Sequence, residues 1–151
     1  MPELIRKIYQ YPSLSTADVD KIIALHKRTI LPKTAFLLKA GEVSQQYFIL
    51  EKGLIRSYVK DHNGKEITTN FYSEHDLVIE VSSLFQGLPT EEYFQALTDC
   101  ILWEIKYEDF QEAFIKIPSF AEWGRSWMAT TLSRQKLRMI RMITVPASIR
   151  Y

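Results

Sequence analysis

The stretch that decides the fold is KAGEVSQQYFILEKGLIRSYVKDHNGKEITTNFYSEHDLVIE, residues 39–80. Short runs rich in β-branched and aromatic residues alternate here with glycine, asparagine, aspartate or serine; the runs are 47–50, 54–59, 67–72 and 77–79. This pattern is typical of short antiparallel strands joined by tight turns. Asn63-Gly64 predicts a two-residue type I′ turn with positive φ at both positions, and Gly53 predicts another tight turn.

The strand pattern continues on both sides of this stretch. A run at 36–38 precedes it, and runs at 93–96 and 101–105 follow a break at residues 86–89. Because so many short runs are separated only by turn residues, the order predicts a small antiparallel roll or barrel.

Helical spacing appears at both ends of the chain. Residues 2–10 predict a short amphipathic helix, and residues 15–18 resemble a capping box for a second helix that should end before Leu31-Pro32. A short helix at 81–85, a helix from Tyr107 to Ile117 and a long helix at about 119–143 follow. We expect Pro146 to end the long helix.

Composition bounds the class of protein. The chain has 151 residues, of which 46% are hydrophobic and 25% charged, with a formal net charge of +1. These values are ordinary for a soluble domain and indicate no nucleic-acid surface by bulk charge. One cysteine, Cys100, excludes an intramolecular disulfide and is expected to be a buried small residue. With no apolar run of about 18 residues and no signal peptide, we expect a cytoplasmic protein that does not enter a membrane.

The long helix has a seam of apolar residues. Five of its residues follow 4-3-4-3 spacing with one polar member: Met128, Leu132, Gln135, Met139 and Met142; Gly124 continues the line toward the N-terminus. This spacing predicts a homodimer through the helix. A second set, suited to packing on the roll, is Phe120, Trp123, Trp127, Leu137 and Ile140. The alternative is one broad stripe buried within the monomer.

The order of turns and strands resembles the cyclic nucleotide-binding β-roll of the Crp/Fnr family of bacterial transcription regulators, over roughly residues 20–151. The resemblance implies an α+β fold: an antiparallel β-roll, or double-stranded β-helix, flanked by N-terminal helices and a long C-terminal dimerisation helix. The resemblance also implies three regions: the N-terminal helices and the sensor roll at 1–118, the dimerisation helix at 119–145, and the start of a hinge at 146–151.

The family's nucleotide-binding members use a Gly-Glu pair and, about ten residues on, an Arg-Ser/Thr pair to hold the ribose and cyclic phosphate. Here Ile79-Glu80 matches the first pair, and Thr90-Glu91 matches the second. A phosphate requires a cation, and arginine provides the best one. Binding of cAMP or cGMP is therefore disfavoured, although a rearranged pocket is an open alternative, and no cofactor is predicted.

The effector-pocket candidates are Glu80, Ile79, Thr90, Glu91, Phe71 and Gln135. For two of them, the sequence also suggests a structural role that involves no ligand. Glu80 suits the start of the helix at 81–85, where the dipole favours negative charge. Gln135 suits a polar position that sets the register of the seam.

No catalytic constellation is apparent in the sequence. His26, His62 and His75 are widely separated and have no metal-ligand spacing, and no nucleophile motif occurs. We therefore expect a regulator rather than an enzyme.

The resemblance implies an effector-sensing and dimerisation domain of a transcription regulator, with an unknown small-molecule effector. In the family, DNA is read by a C-terminal helix-turn-helix, and residues 1–151 offer no recognition helix. The chain is thus expected to be a fragment of a longer regulator or a stand-alone sensor. The alternative is a cyclic-nucleotide-binding regulatory module with a rearranged pocket that acts on a protein partner.

Overall fold

The computed structural model describes residues 2–144, in which helices lie at both ends of a run of strands. The helices are α1 (Pro2–Ile8), α2 (Thr16–Ala24), α3 (Val81–Gln86), α4 (Tyr107–Lys116) and α5 (Pro118–Thr144). The strands are β1 (Lys27–Leu31), β2 (Phe36–Leu38), β3 (Gln46–Lys52), β4 (Ile55–Lys60), β5 (Glu66–Tyr72), β6 (Leu77–Val78), β7 (Tyr93–Ala96) and β8 (Cys100–Lys106). Pro146 and the expected hinge at 146–151 lie outside the described residues.

The strands form two four-stranded sheets, in the orders β1-β8-β3-β6 and β2-β7-β4-β5, and each pairing is antiparallel. Apolar side chains of both sheets meet between them, for example Leu50 and Leu102 from one sheet and Ile55 and Phe94 from the other. Each fully buried aliphatic side chain of this kind stabilises the fold by about 1.5–3 kcal/mol. The predicted antiparallel β-roll and the α+β class are confirmed.

The first strand is a correction to the sequence-based expectation. Helix α2 begins as predicted, with Ser15 as N-cap accepting a hydrogen bond from the Asp18 amide at 3.1 Å, but it ends at Ala24. Residues 27–31 then form β1, paired with β8 at one edge of its sheet. The strand was missed because only Leu31 is buried in it, so an edge strand of this composition shows little alternation.

The hairpin between β4 and β5 also differs from the prediction. Gly64 has φ of 78°, whereas Asn63 does not have positive φ, so the type I′ turn is wrong. The Asp61 carboxylate instead accepts hydrogen bonds from the amides of Asn63 at 2.8 Å and Lys65 at 2.9 Å. An aspartate that bonds the backbone two residues on favours a longer turn, which leaves left-handed backbone at the glycine alone.

A buried polar chain joins the N-terminal helices to the roll. The Tyr9 hydroxyl is hydrogen-bonded to His26 Nε2 at 2.8 Å and to the Tyr47 hydroxyl at 2.5 Å, and His26 Nδ1 donates to the Ile22 carbonyl at 2.8 Å. Since a carbonyl only accepts, the neutral ring carries its proton on Nδ1 and accepts from Tyr9 at Nε2. Burial lowers the pKa of His26 to about 4, which keeps the imidazole neutral.

Helix α5 buries apolar side chains against the rest of the molecule only in its first half. Phe120 and Trp123 are buried, and the Trp123 indole N–H donates to the Ile8 carbonyl at 2.9 Å. The expectation that Leu137 and Ile140 pack on the roll is wrong, because they are 48% and 42% exposed. No helix within residues 2–144 combines the length and the apolar character needed to span a membrane.

Candidate effector site

The segment that follows β6 places Ile79 and Glu80 at the mouth of the roll. Glu80 is the N-cap residue of α3, and its Oε1 accepts a hydrogen bond from the Ser82 amide at 3.2 Å. Gly87 closes the helix in the left-handed region, with φ of 68°. The capping role expected for Glu80 is thus present, and its carboxylate lies beside a cleft.

This cleft, which we call the roll cleft, has a volume of about 190 Å³. Its lining is polar on one side and apolar on the other: Leu37, Leu38, Glu42, Val43, Ser44, Gln45, Gln46, Phe48, Val78, Ile79, Glu80 and Phe94. Two of these residues are acidic and none is basic. The roll cleft therefore has no cation with which to hold a phosphate.

Thr90 and Glu91 do not line the roll cleft. Thr90 is buried, and its hydroxyl accepts a hydrogen bond from the Glu92 amide at 3.0 Å. Its backbone is paired with the loop before β3, through Gly41 at 2.8 Å and Glu42 at 2.9 Å. Glu91 is exposed. The position that matches the family's arginine is therefore occupied by a residue that holds a turn together.

Glu92 is the acidic residue that points into the roll. Its Oε1 accepts a hydrogen bond from Thr69 Oγ1 at 2.5 Å, and Thr69 Oγ1 is in turn 2.7 Å from Ser57 Oγ. Burial raises the pKa of Glu92, and the nearby charge of Glu80 raises it further. We call this set, Ser57, Thr69 and Glu92, the roll network.

Sequence reasoning did not select Glu92 as a pocket residue, although the sequence contains a signal for it. Phe94 and Ala96 are buried in β7, and Glu92 is in phase with them at a period of two. Successive side chains of a strand point to opposite faces, so extending the alternation by one step predicts an inward carboxylate at Glu92 and an outward one at Glu91.

Phe71 and Gln135 belong to a different cavity. It lies between β5 and α5, has a volume of about 520 Å³ and is called here the β5–α5 groove. Its lining includes two arginines of the long helix: Ile8, Asn70, Phe71, Tyr72, His75, Asp76, Leu77, Ile79, Val81, Trp127, Thr131, Arg134, Gln135 and Arg138. Of the predicted pocket residues, Ile79 borders both this groove and the roll cleft.

The predicted dimer seam lies on α5 and is largely uncovered. Leu132 is 59% exposed, Met139 59% and Met142 65%. Packing within the chain explains the glycine at position 124, because a Cβ there would lie 2.3 Å from the Phe114 ring. Gly124 and Met128 also line an apolar cavity of about 290 Å³ beside α4. The seam remains a prediction for the assembled protein.

Within residues 2–144, no group of three or more histidines, cysteines or carboxylates is placed to hold a metal ion. The roll cleft and the β5–α5 groove differ in charge. The roll cleft is acidic, whereas the β5–α5 groove combines aromatic side chains with two guanidinium groups.

Comparison with solved structures supports the fold. The chain superimposes on the catabolite activator protein of Thermus thermophilus with a TM-score of 0.73 and 19% identity, over 87% of this chain and 61% of that one. It superimposes on the sensor domain of the transcriptional regulator DNR from Pseudomonas aeruginosa with a TM-score of 0.71 and 17% identity, over 95% and 94% of the two chains.

Comparison of sequences identifies the family. The cAMP-activated global transcriptional regulator CRP of Pasteurella multocida is 30% identical over 81 residues, which are 54% of this chain and 39% of that protein. The chain thus spans less than half the length of that relative. The sequence profile of the cyclic nucleotide-binding domain matches residues 28–116. The chain therefore belongs to the cyclic nucleotide-binding domain family, and its domain is Crp/Fnr-like.

Proposed function

We propose that these residues are the effector-sensing and dimerisation domain of a Crp/Fnr-like transcription regulator whose cyclic-nucleotide pocket is degenerate. The role is regulatory rather than enzymatic, and its setting is the cytoplasm. An unidentified small molecule binds the domain and changes the equilibrium between two arrangements of a homodimer. Such a shift requires that the effector bind one arrangement more tightly than the other.

The observation that supports the degenerate pocket is the acidic lining of the roll cleft, Glu42 and Glu80, with the partly buried Glu92 close to Glu80. A carboxylate about 4 Å from a phosphate oxygen costs about 4 kcal/mol at an effective dielectric constant of 20. That energy corresponds to about a thousandfold in affinity. Thr90 supplies no compensating cation, and its hydroxyl is already bonded to the Glu92 amide.

Output through α5 is the second part of the proposal. The exposed seam at Leu132, Met139 and Met142 gives the helix an apolar face that a second copy of the chain can cover. In this role DNA is read by a helix-turn-helix domain outside residues 1–151, and the dimer sets the spacing of two such domains.

The second candidate is a cyclic-nucleotide-binding module with a rearranged pocket that acts on a protein partner. It is favoured by Glu80, which keeps its place beside the roll cleft, and by Gln135, which reaches the β5–α5 groove from the long helix. A module of this kind binds cAMP or cGMP without the roll arginine.

Calorimetric titration with cAMP and cGMP distinguishes the two candidates. The degenerate pocket predicts no saturable binding up to about 1 mM nucleotide, whereas micromolar affinity supports the rearranged module. The variant Ile79→Gly/Thr90→Arg/Glu91→Ser/Glu92→Ala, which restores the family's residues and removes the inward carboxylate, should gain measurable binding. The matched control is the same variant with Thr90→Gln in place of Thr90→Arg, which should not bind.

A further inference from the structure

The β5–α5 groove has an open wall of aromatic side chains. Phe71 lies on the edge strand β5 and is 56% exposed, and Trp127 reaches the groove from α5. An exposed phenylalanine on an edge strand, facing a cavity of about 520 Å³, leaves apolar area that a flat ligand can cover.

The α5 side of the groove also carries positive charge. Trp127, Thr131, Arg134 and Arg138 follow 4-3-4 spacing, so they share one face of α5, and the two arginines are neighbours one turn apart. Neither arginine takes part in an ion pair within residues 2–144. Two guanidinium groups side by side form a fork that matches the oxygens of a phosphate or carboxylate.

The acidic residue in the lining does not neutralise this pair. Of the described residues around the groove, Asp76 is the acidic one, and it forms no ion pair with Arg134 or Arg138 within residues 2–144. The cations that the roll cleft lacks are therefore supplied by the long helix, in the neighbouring cavity.

We propose that the β5–α5 groove binds an aromatic anion, with its flat body against Phe71 and Trp127 and its oxyanion on Arg134 and Arg138. The inference rests on the proposed sensor function and names the chemical class of the effector. The anion of an aryl phosphate and that of an aryl carboxylate can each offer two oxygens to a guanidinium group, and the experiment below separates them.

The groove is connected to the roll through one residue. Arg138 donates a hydrogen bond from Nη2 to the Thr69 carbonyl at 3.3 Å, and the Thr69 side chain belongs to the roll network. An anion that engages Arg138 competes with this hydrogen bond or reinforces it. In either case the ligand acts at a contact between α5 and β5.

The probe for the test is 1-naphthyl phosphate, titrated into the protein while tryptophan fluorescence and heat are recorded. We expect saturable binding, with the fluorescence change lost in Trp127→Phe. 1-Naphthol has the aromatic body without the charge, and inorganic phosphate has the charge without the body, so each should bind at least tenfold more weakly. Comparison with 1-naphthoate shows which oxyanion is preferred.

The variants Arg134→Gln and Arg138→Gln remove the charge and keep a polar side chain with good helix propensity. Each should weaken 1-naphthyl phosphate binding about tenfold, the effect of losing one charge-assisted hydrogen bond. Arg141→Gln, on the same helix but outside the groove lining, is the matched control and should bind as the parent does. All three positions are exposed, and equal melting temperatures exclude unfolding as the cause.

Three outcomes overturn the inference: no saturable binding up to about 1 mM, equal binding of 1-naphthol, or equal loss of affinity in the Arg141→Gln control. The proposed sensor function fails differently. The degenerate roll pocket is contradicted by micromolar cAMP binding that is abolished in Glu80→Ala and unchanged in Arg134→Gln. The groove proposal is tested only by binding of the naphthyl compounds.

Discussion

Thr69 Oγ1 donates a hydrogen bond to Glu92 Oε1 at 2.5 Å across the strand that separates them. Thr69 lies in β5, Glu92 directly precedes β7, and β4 runs between these strands in the sheet order β2-β7-β4-β5. Ser57 of β4 completes the roll network at 2.7 Å from Thr69 Oγ1. The chain's own side chains thus satisfy one another inside the roll, and an incoming phosphate meets a carboxylate there.

Glu92→Gln should stabilise the protein at neutral pH. Burial raises the pKa of Glu92 above its ordinary value of 4.5, so the folded state binds more protons than the unfolded state just above that pH. Stability therefore falls as pH rises through this window. Glutamine still accepts from Thr69 but carries no charge. We expect a gain in the free energy of unfolding at pH 7 and no gain below pH 4.5, measured by urea denaturation.

The control for this prediction is Glu91→Gln, which removes one negative charge from the exposed neighbour. It should leave the free energy of unfolding unchanged within about 0.5 kcal/mol at either pH. If both variants stabilise equally, net charge rather than the burial of Glu92 is responsible.

Gly53→Ala should be strongly destabilising. Gly53 has φ of 114°, and an added Cβ would lie 2.8 Å from the Asp99 carbonyl oxygen and 2.6 Å from Cys100 Sγ. Left-handed backbone and overpacking together cost about 2–4 kcal/mol. Gly64→Ala is the matched control, because φ there is 78° but the space is open, and it should cost about 1–2 kcal/mol. Thermal and urea unfolding of both variants test the difference, and equal losses would show that crowding at Cys100 is unimportant.

The roll could be predicted from the sequence because its strands are short, rich in β-branched and aromatic residues, and separated by turn residues. The same reasoning missed β1, since Lys27 and Arg28 are exposed and the strand is held by pairing with β8 rather than by burial. The turn at Asn63 was mispredicted because the Asp61 carboxylate, a competing local acceptor, selects a longer hairpin.

The candidate site was predicted only in part. Ile79 and Glu80 lie at the roll cleft, whereas Phe71 and Gln135 lie at the β5–α5 groove. The sequence analysis assigned all four to one pocket, because sequence spacing does not show which cavity a residue faces. Arg134 and Arg138 were not among the predicted pocket residues. Their place in the groove depends on how α5 packs against β5, a long-range contact without a local signal.

Replacement of seam residues should abolish the proposed dimer. Leu132→Asp and Met139→Asp place a charge where an apolar contact between two helices is expected, and both positions are 59% exposed in the isolated chain. Light scattering should give the mass of two chains for the parent protein and of one chain for each variant at micromolar concentration. Ile115→Asp on α4, at a site 82% exposed, is the matched control and should remain dimeric. A parent protein that is monomeric at high micromolar concentration contradicts the seam.

Acid should destabilise the protein through His26. Burial lowers the pKa of this imidazole from 6.5 to about 4. At a pH between these two values, the unfolded chain binds a proton at His26 that the folded chain does not bind. Stability is therefore fully present above pH 6.5 and declines as pH falls towards 4, by about 3 kcal/mol at most. The neutral ring is also the form that accepts from Tyr9 and donates to the Ile22 carbonyl, so protonation at Nε2 breaks the buried chain.

The variant His26→Gln separates this effect from general acid unfolding. It should lose about 1–2 kcal/mol at pH 7, because one buried hydrogen-bond chain is disturbed, and its stability should change less than that of the parent between pH 7 and pH 4.5. His62→Gln, in the exposed hairpin, is the control and should follow the parent curve. Urea unfolding at intervals across this range provides the comparison. Parallel curves for the parent and His26→Gln would mean that other groups govern the acid response, since only a group whose pKa differs between the folded and unfolded states makes stability depend on pH.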